Sequence, residues 1–369
     1  MTATTPPSGW RRLVSGPVLR ALLSLALIVA IFVFAFPKVA DLGEVYATVR
    51  AMTWLEVATL AVGAIWNLVT YWFVMMMVLP GLSLRHAMMA NMTGGAISNT
   101  LPAGGAIAVG MTYAMYASWG FSSSQIGLSV LVSGVWNNFV KLGLPVVALA
   151  LLAVQGQAGP GLVSAALVGV VVLVAAVTAY ALMLRSPTFA RRLGDWLGRT
   201  ASWLRRLVRR PPVEAWGDGA VRVRDETVDL VHGRWPLITA ASLLSHLSLF
   251  VVLLLALRHV GVTSQQVSWV EALGAFAFMR LLSAVPITPG GLGVVELGLT
   301  AALVVAGGPR APVVAAVLVY RALTWLPTLP AGVVTYAMWR WEQRGRVVEP
   351  VRPPEAVTSD VEVPGAPGG

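Results

Sequence analysis

Ser283-Ala284-Val285-Pro286-Ile287-Thr288-Pro289-Gly290-Gly291-Leu292-Gly293-Val294-Val295-Glu296 interrupts a long apolar run in the C-terminal third of the chain. Pro286 and Pro289 remove backbone donors, and the glycines let backbone approach another group closely. Thr288 before Pro289 has the form of an N-cap followed by proline at the first helical position. One half-helix is therefore expected to end near Val285 and a second to start at Pro289. At membrane depth, such a break is tolerated only where protein buries it or where it lines a wet cavity, so it marks a site.

A second copy lies 186 residues upstream, as Asn99-Thr100-Leu101-Pro102-Ala103-Gly104-Gly105-Ala106-Ile107-Ala108-Val109-Gly110. The helices that follow also correspond. Val135-Trp136-Asn137-Asn138-Phe139 parallels Val319-Tyr320-Arg321-Ala322-Leu323, and each runs on to a Leu-Pro, at 144–145 and 329–330. Two discontinuous segments at matching places in two halves point to a transporter-like binding site.

Composition agrees with this setting. The 369 residues are 57% hydrophobic and 11% charged, with a mean hydropathy of +0.76. A soluble protein carries about twice that charged fraction. The fold class expected is all-α and polytopic, with about six full spans and two re-entrant half-helix hairpins in inverted repeats. The net charge is +10. Its basic residues flank the apolar segments, as cytoplasmic loops require, and no nucleic-acid partner is expected. With no cysteine, disulfides and thiolate chemistry are excluded. The four histidines have no metal-ligand spacing, and neither a nucleotide loop nor a catalytic or cofactor motif occurs.

In chain order, residues 1–18 are expected to be a cytoplasmic tail, and 19–36 an uncleaved first span. The first repeat is assigned to 19–154, with a second span at 54–79, a hairpin at 87–118 and a third span at 126–154. Trp54, Tyr71 and Trp72 are candidate interfacial anchors. A fourth span occupies 162–184, within a segment 155–184. The second repeat covers 236–341, with a fifth span at 236–257, a hairpin at 269–306 and a last span at 312–339. Residues 342–369 are expected to be a disordered tail. Each hairpin arm has about 14 residues and reaches about 21 Å, short of a hydrocarbon core of about 30 Å, which predicts re-entrance.

Residues 185–235 form the one long polar loop, with eleven arginines against six acids. Arg191-Arg192, Arg205-Arg206 and Arg209-Arg210 alternate with leucines and tryptophans. That pattern predicts an amphipathic helix at 196–210 lying on an anionic leaflet. With both termini and this loop inside, and each hairpin counted as no crossing, the halves become upside-down copies. The location expected is the plasma membrane.

Few charges fall within spans: Lys141, Arg280, Glu296 and Arg321. Such residues are costly in lipid and face protein or water. Two readings stay open. Glu296 pairs with Arg321 or Arg280 to hold the hairpin, or Arg321, Lys141 and Arg280 gather an anion beside the half-helix N-termini. Thr288, Gly290, Gly291, Asn99, Gly104, Gly105 and Asn137 complete the candidate site, the asparagines as helix cross-links or ligand contacts.

The run from Ile287 to Glu296, with Tyr320-Arg321 and Leu326-Pro327-Thr328-Leu329-Pro330, resembles the transmembrane-region family of lysylphosphatidylglycerol synthases, the flippase-like membrane proteins. The likeness extends over roughly residues 20–340. Many members carry an arginine shortly after the first-half motif; here Ala108, Val109, Gly110 and Met111 stand there. The resemblance implies translocation of an anionic, aminoacylated or isoprenoid-linked lipid. The alternative is a non-transporting subunit that supports a lipid-modifying enzyme or glycosyltransferase as partner. Only 28 residues follow Trp341, so an aminoacyl-transferase domain and its enzyme activity are not expected.

Overall fold

The computed structural model describes residues 42–101, 104–156, 160–207, 216–283 and 288–345. The expected first span, the N-terminal tail and residues 346–369 lie outside them, while 342–345 of the expected C-terminal tail are helical. Among the described residues the chain is all-α, and five segments are long and apolar enough to cross a membrane. It is a polytopic membrane protein.

The helices are α1 (Leu42–Arg50), α2 (Trp54–Val78), α3 (Leu84–Thr100), α4 (Gly104–Ser118), α5 (Ser123–Val154) and α6 (Pro160–Arg185). There follow α7 (Pro187–Leu207), α8 (Trp216–Val231), α9 (Trp235–His259) and α10 (Trp269–Leu282). A 3₁₀ turn (Pro289–Gly291) leads to α11 (Val294–Val305), α12 (Arg310–Thr324) and α13 (Thr328–Gly345). Sequence sets several of the starts. Thr53, Ser122 and Ser268 each cap a helix, and the Glu56, Gln125 and Glu271 side chains reach back to the cap amides, satisfying otherwise orphaned donors.

Four expectations need correction. Residues 42–50, which lie between the expected first and second spans and carry no expected helix, form α1, which packs on α12. The expected last span breaks at Trp325-Leu326-Pro327 into α12 and α13, because Pro327 lacks the amide that would continue the ladder. The basic loop holds two helices rather than one, and α7 packs along α8. Ala190, Gly194 and Gly198 are buried at four-residue spacing on α7, which allows this close approach. Finally, the second half-helix starts at Val294 and not at Pro289.

The two halves pack in an exchanged manner. Span α2 lies along α9; arm α3 of the first hairpin packs on α13, and arm α10 of the second packs on α5. The α2–α9 seam carries polar cross-links at its middle. Asn67 donates to the Ser245 carbonyl and to Ser248 Oγ, both at 2.9 Å. The α3–α13 seam is tight because Gly332 faces Ala96 and Gly95 faces Thr328, with Thr93 and Thr335 hydroxyls bonded at 2.9 Å. Small residues and hydroxyl bonds are what join helices where hydrophobicity gives no preference. The largest apolar core lies in the second half, where Val313 to Val317 of α12 are fully buried near Leu253 and Phe276.

Candidate functional site

Three positive-φ glycines within four residues make the second break. Gly290, Gly291 and Gly293 have φ of 60°, 69° and 80°, a conformation that penalises any side chain. The chain therefore turns away from the helix axis and cannot begin α11 at Pro289. Thr288, expected as an N-cap, instead donates from Oγ1 to the Leu292 carbonyl at 2.9 Å. The Gly291 amide donates to the Thr288 carbonyl at 3.0 Å.

Glu296 stands in the first turn of α11 and is 1% exposed. Its Oε2 accepts from the Gly293 amide and its Oε1 from Arg321 Nε, both at 2.6 Å. Arg321 Nη2 also donates to the Gly290 carbonyl at 2.8 Å. Of the two arginines considered for Glu296, the structure pairs Arg321, and the guanidinium fastens the break to α12.

The first break meets the second. Asn99, in the last turn of α3, donates from Nδ2 to Thr328 Oγ1 at 3.0 Å, and Thr328 donates to the Trp325 carbonyl at 2.6 Å. A Cβ on Gly290 would lie 2.5 Å from Trp325 Nε1 and 2.9 Å from Asn99 Oδ1. The end of α3, the 3₁₀ turn and the α12–α13 junction thus converge on one point. Gly104 and Gly105 separate in role. A Cβ on Gly104 would strike the Ile97 and Ser98 backbone, whereas one on Gly105 would meet nothing within 4 Å.

Arg280 and Lys141 have no hydrogen-bond or ion-pair partner for their side chains among the described residues; Arg280 Nε is buried. Arg280 lies within electrostatic range of the cations Lys141 and Arg321 and of the phenols of Tyr71 and Tyr320. Three cations and one carboxylate thus share this interior region, and the carboxylate is already committed to Arg321. Asn137 is half-buried on α5, and no hydrogen bond joins it to this group.

Helices α2, α3, α4 and α5 line an open cavity of about 320 Å³, and the residues described in its wall include neither Arg280 nor Lys141. Its wall includes Tyr71, Asn91, Ser98, Gly105, Ser129 and Ser133. Tyr71, expected as an interfacial anchor, lines this space and is 40% exposed.

Sequence reasoning missed Trp325, Thr328, Tyr71 and Asn91. A signal for the first two was present in Leu326-Pro327-Thr328-Leu329-Pro330, where Pro327 stands at the break in the last span as Pro289 stands at the break in the second hairpin. Tyr71 and Asn91 lie in helices with no local mark, and only packing brings them to the cavity.

No curated protein matches the chain. A family model does match, over residues 21–332, and its description is the lysylphosphatidylglycerol synthase TM region. That span includes both breaks, the Glu296–Arg321 pair, Lys141, Arg280 and the cavity wall. The chain belongs to the lysylphosphatidylglycerol synthase TM region family.

Proposed function

We propose that the chain translocates a lipid with an anionic headgroup across the plasma membrane, with both termini on the cytoplasmic side and the two halves inverted. The observation that carries this reading is the excess of interior cations. Among the described residues Arg280 and Lys141 lack a carboxylate partner, and a charge at membrane depth is stable only when something opposite meets it. A lipid phosphate supplies that opposite charge, and Arg280 and Lys141 are the groups that hold it. The broken helices give the flexible, polar backbone that alternating access uses in other transporters. No step in this reading needs a cofactor or covalent chemistry.

The test is reconstitution. Vesicles containing the full chain and fluorescent phosphatidylglycerol are treated with an impermeant quencher, and signal loss beyond the outer-leaflet half reports translocation. The parental chain should exceed protein-free vesicles, and Arg280→Ala with Lys141→Ala should lose most of the excess. An unchanged rate in that double variant would remove the cations from the mechanism.

A second reading, a non-transporting subunit beside a lipid-modifying enzyme, draws on α6. Its span buries none of its most apolar window inside the chain, and Leu167, Val168 and Val171 are widely exposed. Photo-crosslinkers at those positions should capture lipid alone under the first reading and a second protein under the other.

A further inference from the structure

The largest apolar core and the core of the first hairpin are separate clusters. The former runs from Leu60 of α2 and Leu144 of α5 through α9, α10, α11 and α12. The latter is centred on Met89 and Ala90 of α3 and Met115 and Tyr116 of α4, with Met338 and Trp339 of α13 packed against them.

The hairpin is tied to α13 along its whole length. At the tip Asn99 bonds Thr328, and at the middle Thr93 bonds Thr335. At the base, Ser118 Oγ accepts from Trp339 Nε1 at 2.9 Å and from Gln343 Nε2 at 3.1 Å, and Arg85 pairs with Glu342. Any side chain at Gly332 would strike Ala96, so this seam has no room to slide.

Toward α2 and α5 the hairpin is joined differently. The cavity lies in that seam, with Val74, Ser129 and Ser133 on one side and Gly94, Ala108 and Thr112 on the other. Met75 and Met76 of α2 share an apolar cluster with Met88 and Met111 of the hairpin, and thioether chains repack more readily than branched ones. Two polar contacts act as latches across the seam. Trp72 Nε1 donates to Asn91 Oδ1 at 3.0 Å, and the Tyr113 hydroxyl donates to Ser123 Oγ at 2.6 Å. The connections to the rest of the chain also suit motion. Gly81 precedes α3 with φ of 92°, Gly120 follows α4 with φ of 93°, and α13 is reached through the break at Pro327. A few residues at element ends are what absorb the dihedral changes of a hinge.

We propose that α3, α4 and α13 move as one body against a frame of α2, α5, α9 and α10, and that this motion opens and closes the cavity between them. The moving body takes its hairpin from the first half of the chain and its third helix from the second. The Trp72–Asn91 and Tyr113–Ser123 bonds hold the closed arrangement. The motion is independent of which molecule the cavity takes, and so goes beyond the anionic-lipid reading.

The test is double electron–electron resonance on spin-labelled cysteine pairs in the full-length, otherwise cysteine-free chain. The labelled positions are all exposed: Ile107 and Trp341 on the moving body, Val154 and Leu247 on the frame. Trp72→Phe with Tyr113→Phe removes both latches and should raise the open population about tenfold, since two bonds of ordinary strength are lost. In that background, Ile107→Cys with Val154→Cys and Trp341→Cys with Leu247→Cys should gain a population displaced by about 5 Å, the size of a one-turn helix shift. Ile107→Cys with Trp341→Cys, and Val154→Cys with Leu247→Cys, should keep their parental distances. Asn91→Ala with Ser123→Ala removes the same latches from the other side and should give the same result. Unchanged distances between body and frame in both latch variants would overturn the proposal. A shift between Ile107 and Trp341 would overturn it too, by showing that the hairpin moves without α13.

Discussion

Asn99 and Thr328 stand 229 residues apart in sequence and are joined by a hydrogen bond of 3.0 Å at the point where three chain breaks converge. Because Thr328 also holds the Trp325 carbonyl, the bond ties the tip of the first hairpin to the turn between α12 and α13. A net contribution of about 1 kcal/mol is expected for a bond of this type. A double-mutant cycle of Asn99→Ala and Thr328→Val, read by unfolding in detergent, should return a coupling of that order. A coupling near zero would show that the helices meet there without help from this contact.

The Glu296–Arg321 pair gives a larger effect. Arg321→Ala strands a carboxylate that is 1% exposed, and breaking a buried pair costs about 3 to 5 kcal/mol. Arg321→Leu with Glu296→Leu should recover most of that stability, since replacing both partners is often neutral. Lysine at 321 should recover less, because one ammonium cannot hold Glu296 and the Gly290 carbonyl as the guanidinium fork does. The measurement is the midpoint of thermal unfolding for the four variants.

Adjacent glycines at the first break should behave in opposite ways. Gly105→Leu projects into open space and should fold as the parent does while reducing lipid movement severalfold. Gly104→Ala drives a methyl into the Ile97–Ser98 backbone and should destabilise the chain by about 1 to 3 kcal/mol, the usual range for overpacking. Equal thermal stability of the two variants would contradict the geometry of the hairpin.

Orientation can be tested in this cysteine-free chain. Single cysteines at Gln265 and Arg310, both exposed, should react with an impermeant reagent from outside intact cells. Those at Thr200 and Asp229 should react only after permeabilisation. Labelling of Thr200→Cys in intact cells would reverse the assignment of sides.

The basic helix makes a prediction about salt. Helix α7 follows α6 after one residue, so it begins where a lipid-facing span ends. Trp196 is 56% exposed on it. A peptide of residues 187–207 should bind vesicles containing anionic lipid, with about 1 kcal/mol from each arginine near the surface, and should weaken as ionic strength rises. Equal binding to neutral vesicles would leave the arginines with a topological role alone.

The fold was largely legible because its signals are local. Spans α2, α5, α6 and α9 follow from apolar length, and both hairpin breaks follow from proline and glycine. The break between α12 and α13 has its signal in Leu326-Pro327, but the apolar length of 312–339 reads as one continuous span. The site was legible only in part. Glu296, Arg321, Lys141 and Arg280 stand out because charge is rare in apolar sequence, whereas the choice of Arg321 over Arg280 depends on how α11 meets α12. The cavity wall is built from serines, glycines and a tyrosine that look ordinary in any helix.

The close fit of α3 against α13 also sets an order of events during synthesis. Thr93 finds its partner Thr335 only after another 242 residues have been made. At about 5 to 20 residues per second, that interval lasts roughly 10 to 50 s. Throughout it, the first hairpin waits with the glycine-bearing face of α3 unmatched, and the arrival of the last helix completes the assembly. Chains that stall or are cut before α13 should therefore be handled by the cell as unfinished, even though every element of the first half has already been made.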